Sequence, residues 1–501
     1  MGSDFLSSGR IRRIAKAEEA LYNHKHFIID HQNGNCNQKG AEDMAWIPED
    51  VRSVLERLEM AGYEAWCVGG CIRDLRLGKS PEDWDVTTSA RPEEISASFG
   101  ELARPTGARH GTVTVRTGVR DVEVTTFRTD GVYLDHRRPE HVFFTRSLEE
   151  DLGRRDFTIN AMAMDLRGQL RDPFGGAEDL AAGVLRCVGR PDQRFQEDAL
   201  RLLRGLRFLS RLGLTAAPDT DAAIHEHRTL LEAIAPERIQ AELRRLLCGD
   251  DAAQVLRTYP DVVAVFWPEI SPMIGFDQHN RHHCFDVWEH TLHALEVVAP
   301  DPVLRYAMVL HDIGKPACFT MDPWGNGHFR GHPAVSKALA DDMLRRLRLD
   351  NATRESVLRL VEWHDRDIPR TERGVLRALR ALGEQDLRRL FAVKRADNLA
   401  QAPEYRGVQA EIQKAEEILD QALAGGACWS LRQLAVRGGD LVSMGYQGRA
   451  IGQMLETLLD AVEDGTLPNE KEALLEYARH AEGANETGDR DGEPSGSGRI
   501  Q

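Results

Sequence analysis

The chain has 501 residues, 42% hydrophobic and 29% charged, so it is too long for one core and is expected to form three or four domains. No apolar run approaches the roughly 18 residues of a membrane span, and the basic N-terminus (Arg10, Arg12, Arg13, Lys16) lacks the apolar segment of a secretory signal. The 8 cysteines are scattered without a Cys-x-x-Cys pair, so neither a zinc ribbon nor a disulfide framework is indicated; a cytoplasmic protein with no membrane partner is expected.

The net charge of −16 leaves nucleic-acid binding open, because binding depends on local basic surface, and Arg137-Arg138, Arg154-Arg155 and Arg244-Arg245 supply it. Residues 1–46 lack a clean period and are expected to be an extension of doubtful order. From 47 to about 170, strand patterns at 66–68, 112–116, 122–127 and 161–165 alternate with short helices. Gly69-Gly70 closes the first strand, where a backbone without Cβ can approach a phosphate chain closely. Asp83 and Asp85 stand one residue apart, which on a strand puts both carboxylates on one face, and Glu123 in the 122–127 run can complete the set. Three converging carboxylates beside a phosphate-binding turn are what two Mg²⁺ ions need to hold a nucleoside triphosphate for in-line attack. After Gly175-Gly176 the strand signals nearly vanish, and Leu200, Leu203, Leu206, Leu209 and Leu212 begin an all-helical remainder. A His-rich region runs from 277 to about 400, a glycine-punctuated helical unit covers 431–477, and a polar tail begins at 483. The fold class expected is α+β, a head with a sheet followed by helices.

These motifs resemble the class II tRNA nucleotidyltransferases, the CCA-adding enzymes, and the related bacterial poly(A) polymerases. The first family motif is matched by Gly69-Gly70-Cys71-Ile72-Arg73-Asp74 through Asp83-Trp84-Asp85. Arg76 departs from the apolar residue usual there, which a snorkelling stem accommodates. Arg154-Arg155-Asp156-Phe157-Thr158-Ile159-Asn160 is similar to the second motif, which contacts ribose and triphosphate, and Asp172-Pro173-Phe174-Gly175-Gly176 to a head–neck hinge. The fourth motif is matched by Glu197-Asp198-Ala199-Leu200-Arg201-Leu202-Leu203-Arg204, read here as the start of a helix with Asp198 and Arg201 three apart on one face. That pair can template a base: the carboxylate accepts from the exocyclic amino group of C or A, while the carbonyl of G or U would leave it unpaired. Glu237-Arg238-Ile239-Gln240-Ala241-Glu242-Leu243 resembles the fifth motif, for which a structural ion-pair role is at least as expected as substrate contact.

The resemblance implies catalytic Asp83, Asp85 and Glu123, with two Mg²⁺ held mainly by Asp83 and Asp85. It also implies nucleotide contacts from Gly69, Gly70, Arg73, Arg155, Asp156, Asn160, Asp198, Arg201, Arg204 and Arg207. Its partners would be tRNA, CTP and ATP, with no protein partner expected. The segment 128–142 is similar to the loop that switches such enzymes from C to A, favouring full CCA addition over A-only addition or polyadenylation.

His290, His311-Asp312, His332, His364 and Asp397 resemble the HD phosphohydrolase superfamily in the form that can hold two divalent transition metals. A different reading is therefore an HD phosphohydrolase that uses the head as an RNA-binding module. The expected domains are an extension 1–46, a nucleotidyltransferase head with a mixed sheet 47–175, a neck 176–275, an HD body 276–400, a tRNA-binding tail 401–482 around Gly439-Asp440-Leu441, and a disordered end 483–501.

Overall fold

A computed structural model describes residues 46–131 and 142–487. The N-terminal extension up to residue 45, most of the 128–142 loop and the end from 488 lie outside the described residues. The chain forms two compact units, one of residues up to 271 with 346–348, the other of 272–345 with 349 onward.

The first unit is built on a seven-stranded mixed sheet. In chain order its strands are β1 (Ala65–Val68), β2 (Asp85–Thr88), β3 (Ala103–Gly107), β4 (Thr112–Arg116) and β5 (Asp121–Thr126). A separate hairpin pairs β6 (Arg128–Asp130) with β7 (Val142–Phe144), and β8 (Ala163–Met164) and β9 (Leu170–Arg171) return to the main sheet. The spatial order is β3-β4-β5-β2-β1-β8-β9. All contacts in it are antiparallel except β2 with β5, which run parallel and bring Asp85 opposite Glu123. On β4 and β5 every second residue (Val113, Val115; Val122, Val124) is buried and Glu123 emerges on the open face, while β2 is buried throughout after the exposed Asp85. Val68, Leu152, Ala161, Ala163 and Val188 pack together under the Gly69 turn.

The expected helical remainder is found, with two exceptions. Short two-stranded ladders pair Val184–Leu185 with Thr215–Ala216 and Thr320–Met321 with Gly327–His328. The 161–165 run contributes only Ala163–Met164, and the strand Ala103–Gly107, largely exposed and containing Pro105, carried no period to reveal it. The second unit is helical apart from its ladder. Its C-terminal part has its own core of Leu434, Val436, Leu441, Leu458, Leu459, Leu474 and Ala478. There Asp440 ion-pairs with Lys471 at 2.6 Å. The last helix, Lys471–Thr487, runs past residue 483, where the sequence suggested a tail. Among the described residues no helix is long and apolar enough to cross a membrane.

Candidate functional site

Trp84 is buried against Trp46, with ring centroids 6.2 Å apart, and this anchors the extended segment leading into β2. With Trp84 turned inward, Asp83 and Asp85 on either side turn outward. Asp83 lies just before the strand and Asp85 opens it. Glu123 faces the same side, because β5 alternates exposed and buried from Asp121 and Glu123 is the direct register partner of Asp85. None of the three carboxylates has an ion-pair or hydrogen-bond partner of its own among the described residues. Protein enclosing the Asp85 carboxylate pushes its pKa up to about 6, and Glu123 and Asp83 add to the rise against the pull of Arg155. Unpaired carboxylates gathered on one face repel each other, and a divalent cation relieves that repulsion; the set fits a metal.

Gly69 makes the approach to this face possible. Its φ is +80°, and a Cβ there would lie 3.0 Å from Nη1 of Arg155. Arg155 is steered by Asp151, a fully buried carboxylate that also receives Arg154 at 2.9 Å, the Arg128 N–H and the Thr87 hydroxyl. Burial alone would raise the Asp151 pKa, but Arg154 and Arg155 outweigh it and hold it below the usual range.

Arg73, Asn160, Asp156 and Arg204 form one chain of contacts. Arg73 donates to Asn160 Oδ1 at 2.8 Å, Asn160 donates to Asp156 Oδ1 at 3.1 Å, and Arg204 donates to Asp156 Oδ2 at 2.7 Å. Asp156 is buried, which favours its neutral form, but Arg204 and Asn160 overcome this and keep it ionised. Arg207 pairs with buried Glu242 at 3.1 Å. The guanidinium groups of Arg73, Arg204 and Arg207 lie 5.2, 5.8 and 4.4 Å from the ring centroid of Phe208. Sequence reasoning named the arginines, and Glu242 as part of an ion-pairing segment, but missed Asp151 and Phe208, which help position them.

The 197–204 segment departs from expectation. One helix ends at Glu197 and the next begins at Leu200, with Asp198 between them in extended backbone, φ −137° and ψ 104°. Asp198 and Arg201 therefore do not share a helical face. Arg201 is buried and donates to Glu197 at 2.7 Å and to the carbonyls of Arg194 and Arg154 at 3.2 and 2.9 Å. Asp198 instead meets Arg238 at 3.1 Å, from the helix Pro236–Leu247. The ion-pair role expected of the 237–243 segment is thus the one observed for Arg238 and Glu242.

In the second unit, His290, His311, Asp312 and Asp397 form one group able to hold a cation, and Asp312, His332 and His364 form another. Asp312 belongs to both. Its Oδ2 lies 3.2 Å from His311 Nε2 and 3.6 Å from His290 Nε2, and its Oδ1 lies 3.2 Å from His332 Nε2 and 3.6 Å from His364 Nε2. Asp397 approaches His290 at 2.8 Å. The other ring nitrogens face backbone carbonyls: His311 Nδ1 that of Met308 at 2.7 Å, His332 Nδ1 that of Phe329 at 2.9 Å, and His364 Nδ1 that of Val361 at 2.7 Å. Donation from Nδ1 directs the Nε2 lone pairs to the centre, the orientation of metal-ligating imidazoles. His311 Nε2 and Asp312 Oδ2 are buried with no aligned hydrogen bond, so this donor set also fits a metal. Burial would make His311 neutral, but Asp312 outweighs it and, with Asp397, pushes its pKa up to about 10; cation uptake then releases that proton. Lys315, 2.6 Å from Asp312 Oδ2, was not singled out from the sequence.

A mixed-sheet head with a free carboxylate triad, joined in sequence to a histidine–aspartate centre, defines a head-plus-HD class. Residues 65–186 match the family described as Poly A polymerase head domain, 213–259 match the probable RNA and SrmB-binding site of polymerase A, and 281–402 match the HD domain. The chain is 33% identical over 440 residues to the CCA-adding enzyme of Lactiplantibacillus plantarum, covering 86% of this chain and 95% of that protein. It belongs to the CCA-adding enzyme family. Identity rises to 49% over 208 residues with the CCA-adding enzyme of Lactobacillus helveticus, where the match covers 42% of this chain and 52% of the relative; the chain thus spans about half the length of that relative. The solved structure of the Bacillus stearothermophilus CCA-adding enzyme in complex with CTP is 28% identical, with a TM-score of 0.66 over 88% of this chain and 98% of that one. The Thermotoga maritima CCA-adding enzyme complexed with tRNA, 20% identical with a TM-score of 0.53, shares the fold.

Proposed function

We propose that the chain adds CCA to the 3′ end of tRNA in the cytoplasm, using CTP and ATP without a nucleic-acid template and releasing pyrophosphate. The observation that carries this reading is the parallel register of Asp85 with Glu123 beside the Gly69 turn, in a chain of this family. Asp83 and Asp85, assisted by Glu123, would hold two Mg²⁺ ions, which when bound acidify the primer 3′-hydroxyl and neutralise charge on the triphosphate. Gly69 and Gly70 leave room for the triphosphate, and Arg155, with the Arg73–Asn160–Asp156–Arg204 chain, orients it and the ribose. Asp198, held by Arg238, supplies the acceptor for the amino group of C or A, while Arg201 fixes the break in which Asp198 sits. Incubation with tRNA lacking its 3′ end and labelled CTP or ATP tests the reading, and the products separate CCA addition from A-only addition and from polyadenylation. No extension with either nucleotide would falsify it.

Two outcomes follow. In Asp198→Ala, UTP or GTP incorporation relative to CTP should rise at least about tenfold, since the unpaired-carboxylate penalty is gone; a slower enzyme with unchanged ratios makes Asp198 structural. Because the Asp85 pKa is raised to about 6, protons compete with Mg²⁺ below that pH. The Mg²⁺ concentration for half-maximal C addition should therefore climb as pH falls from 7 to 5, and a flat profile counts against Asp85 as a ligand.

A second reading stands beside the first on the convergence of four Nε2 atoms at Asp312: a metal-dependent phosphohydrolase at the HD centre, using a divalent transition metal and acting on nucleotides or damaged RNA 3′ ends.

A further inference from the structure

Phe208 lies on the helix Leu200–Leu212, one turn after Arg204, and its ring is buried. Phe157 meets that ring edge-on, with centroids 5.8 Å apart and planes at 82°, which fixes its orientation. Three guanidinium groups gather over the ring: Arg204 and Arg207 from the same helix, and Arg73 from the helix Gly70–Arg76. Arg73 and Arg204 are also the two ends of the chain of contacts through Asn160 and Asp156, so the ring closes that chain on itself. Arg207 lies nearest to the ring and is the least well held elsewhere. Its Nε stands 3.1 Å from Oε2 of Glu242, yet both atoms are buried and neither makes an aligned hydrogen bond. Burial pulls the Arg207 pKa down to about 10, and the like charge of Arg204 adds to the fall against the pull of Glu242.

A further carboxylate at the position of this ring would hold the cations only by taking up N–H groups that a phosphate needs, and its charge would repel that phosphate. An aromatic face attracts cations without net charge and without engaging the in-plane N–H fork. We propose that Phe208 is a positioning residue for nucleotidyl transfer: its electron-rich ring holds Arg73, Arg204 and Arg207 together and leaves their remaining N–H groups to the triphosphate. The inference rests on the nucleotidyl-transfer reading and adds to it a neutral residue that acts through the three arginines.

The test replaces Phe208 in the full chain by mono-, di- and trifluorophenylalanine. Each added fluorine drains negative charge from the ring face, while the side chain stays apolar and nearly keeps its shape. Binding of CTP and of ATP is measured with Mg²⁺ and without tRNA. The Kd for both nucleotides should rise with each fluorine and reach at least about fivefold in the trifluoro chain. Phe208→Leu, which removes the ring, should lose at least as much. In steady-state extension of tRNA lacking its 3′ end, KM for both nucleotides should rise in the same order with kcat nearly unchanged, because the carboxylates are untouched. A constant affinity across the fluorinated series, or a loss confined to one of the two nucleotides, overturns the inference and leaves the transferase reading standing. Wild type that binds neither CTP nor ATP overturns both.

Discussion

Asp85→Ala is expected to slow addition of both C and A by at least about a thousandfold, a loss of about 4 kcal/mol of transition-state stabilisation. Asp85 stands between Asp83, two residues away in sequence, and Glu123, its register partner, so the set loses its middle member. Neither neighbour can replace it: Glu123 is fixed to a pleated sheet whose faces cannot exchange without a shift of register, and Asp83 is held in the segment anchored by buried Trp84 just before the strand. Asp85→Asn preserves shape and removes charge, and should fall nearly as far. Single-turnover extension of tRNA lacking its 3′ end is the measurement, with tRNA binding as the control for folding. Activity of either variant within tenfold of wild type would end the assignment of these carboxylates.

The second large effect belongs to the HD centre. Because Asp312 faces one ligand group with Oδ2 and the other with Oδ1, its replacement should empty both positions. His311→Ala combined with Asp312→Ala should reduce bound transition metal to below about a tenth of wild type and abolish any phosphohydrolase activity toward 2′,3′-cyclic or 3′-phosphate ends. CCA addition should survive at a substantial fraction. Removing Asp312 leaves Lys315 buried without its carboxylate, so Asp312→Asn is the milder companion. Elemental analysis after exposure to Mn²⁺, Ni²⁺ or Co²⁺ decides it; unchanged metal content in both variants would refute the ligand set.

What could be read from the sequence follows the range of the interactions involved. Asp83, Asp85 and Glu123 were legible because a strand has period two and the carboxylates alternate with buried Trp84, Val122 and Val124. Their convergence was not, since it depends on β2 lying parallel to β5 across a sheet whose order differs from chain order. The candidate HD ligands were legible by residue type, while the sharing of Asp312 between two groups was visible only in three dimensions. The break at Asp198 was hidden for another reason. Glu197, Ala199 and Leu200 all favour helix, with no Gly or Pro to interrupt them, so the local signal is continuous. Partners at Arg154 and Arg238, about forty residues away on either side, hold the segment open instead. Asp151 could have been found, since Arg154 and Arg155 follow it at i+3 and i+4, but a carboxylate three residues before an arginine usually reads as a surface pair.

The imidazoles of His311, His332 and His364 each point Nδ1 at the carbonyl three residues earlier in the chain. His311 and His364 do so at the first position past a helix, where carbonyls have lost their helical donors. The tautomer of these rings is thus written by the turn that carries them and does not wait for the helices to assemble. Each segment arrives with Nε2 already turned outward, so a cation can be taken up without any ring having to flip, needing only loss of the Nε2 proton where His311 carries it. Capture of an ion by one segment would lower the entropy cost of docking the next, so assembly of this domain would depend on when the ion is supplied as well as on whether it is supplied.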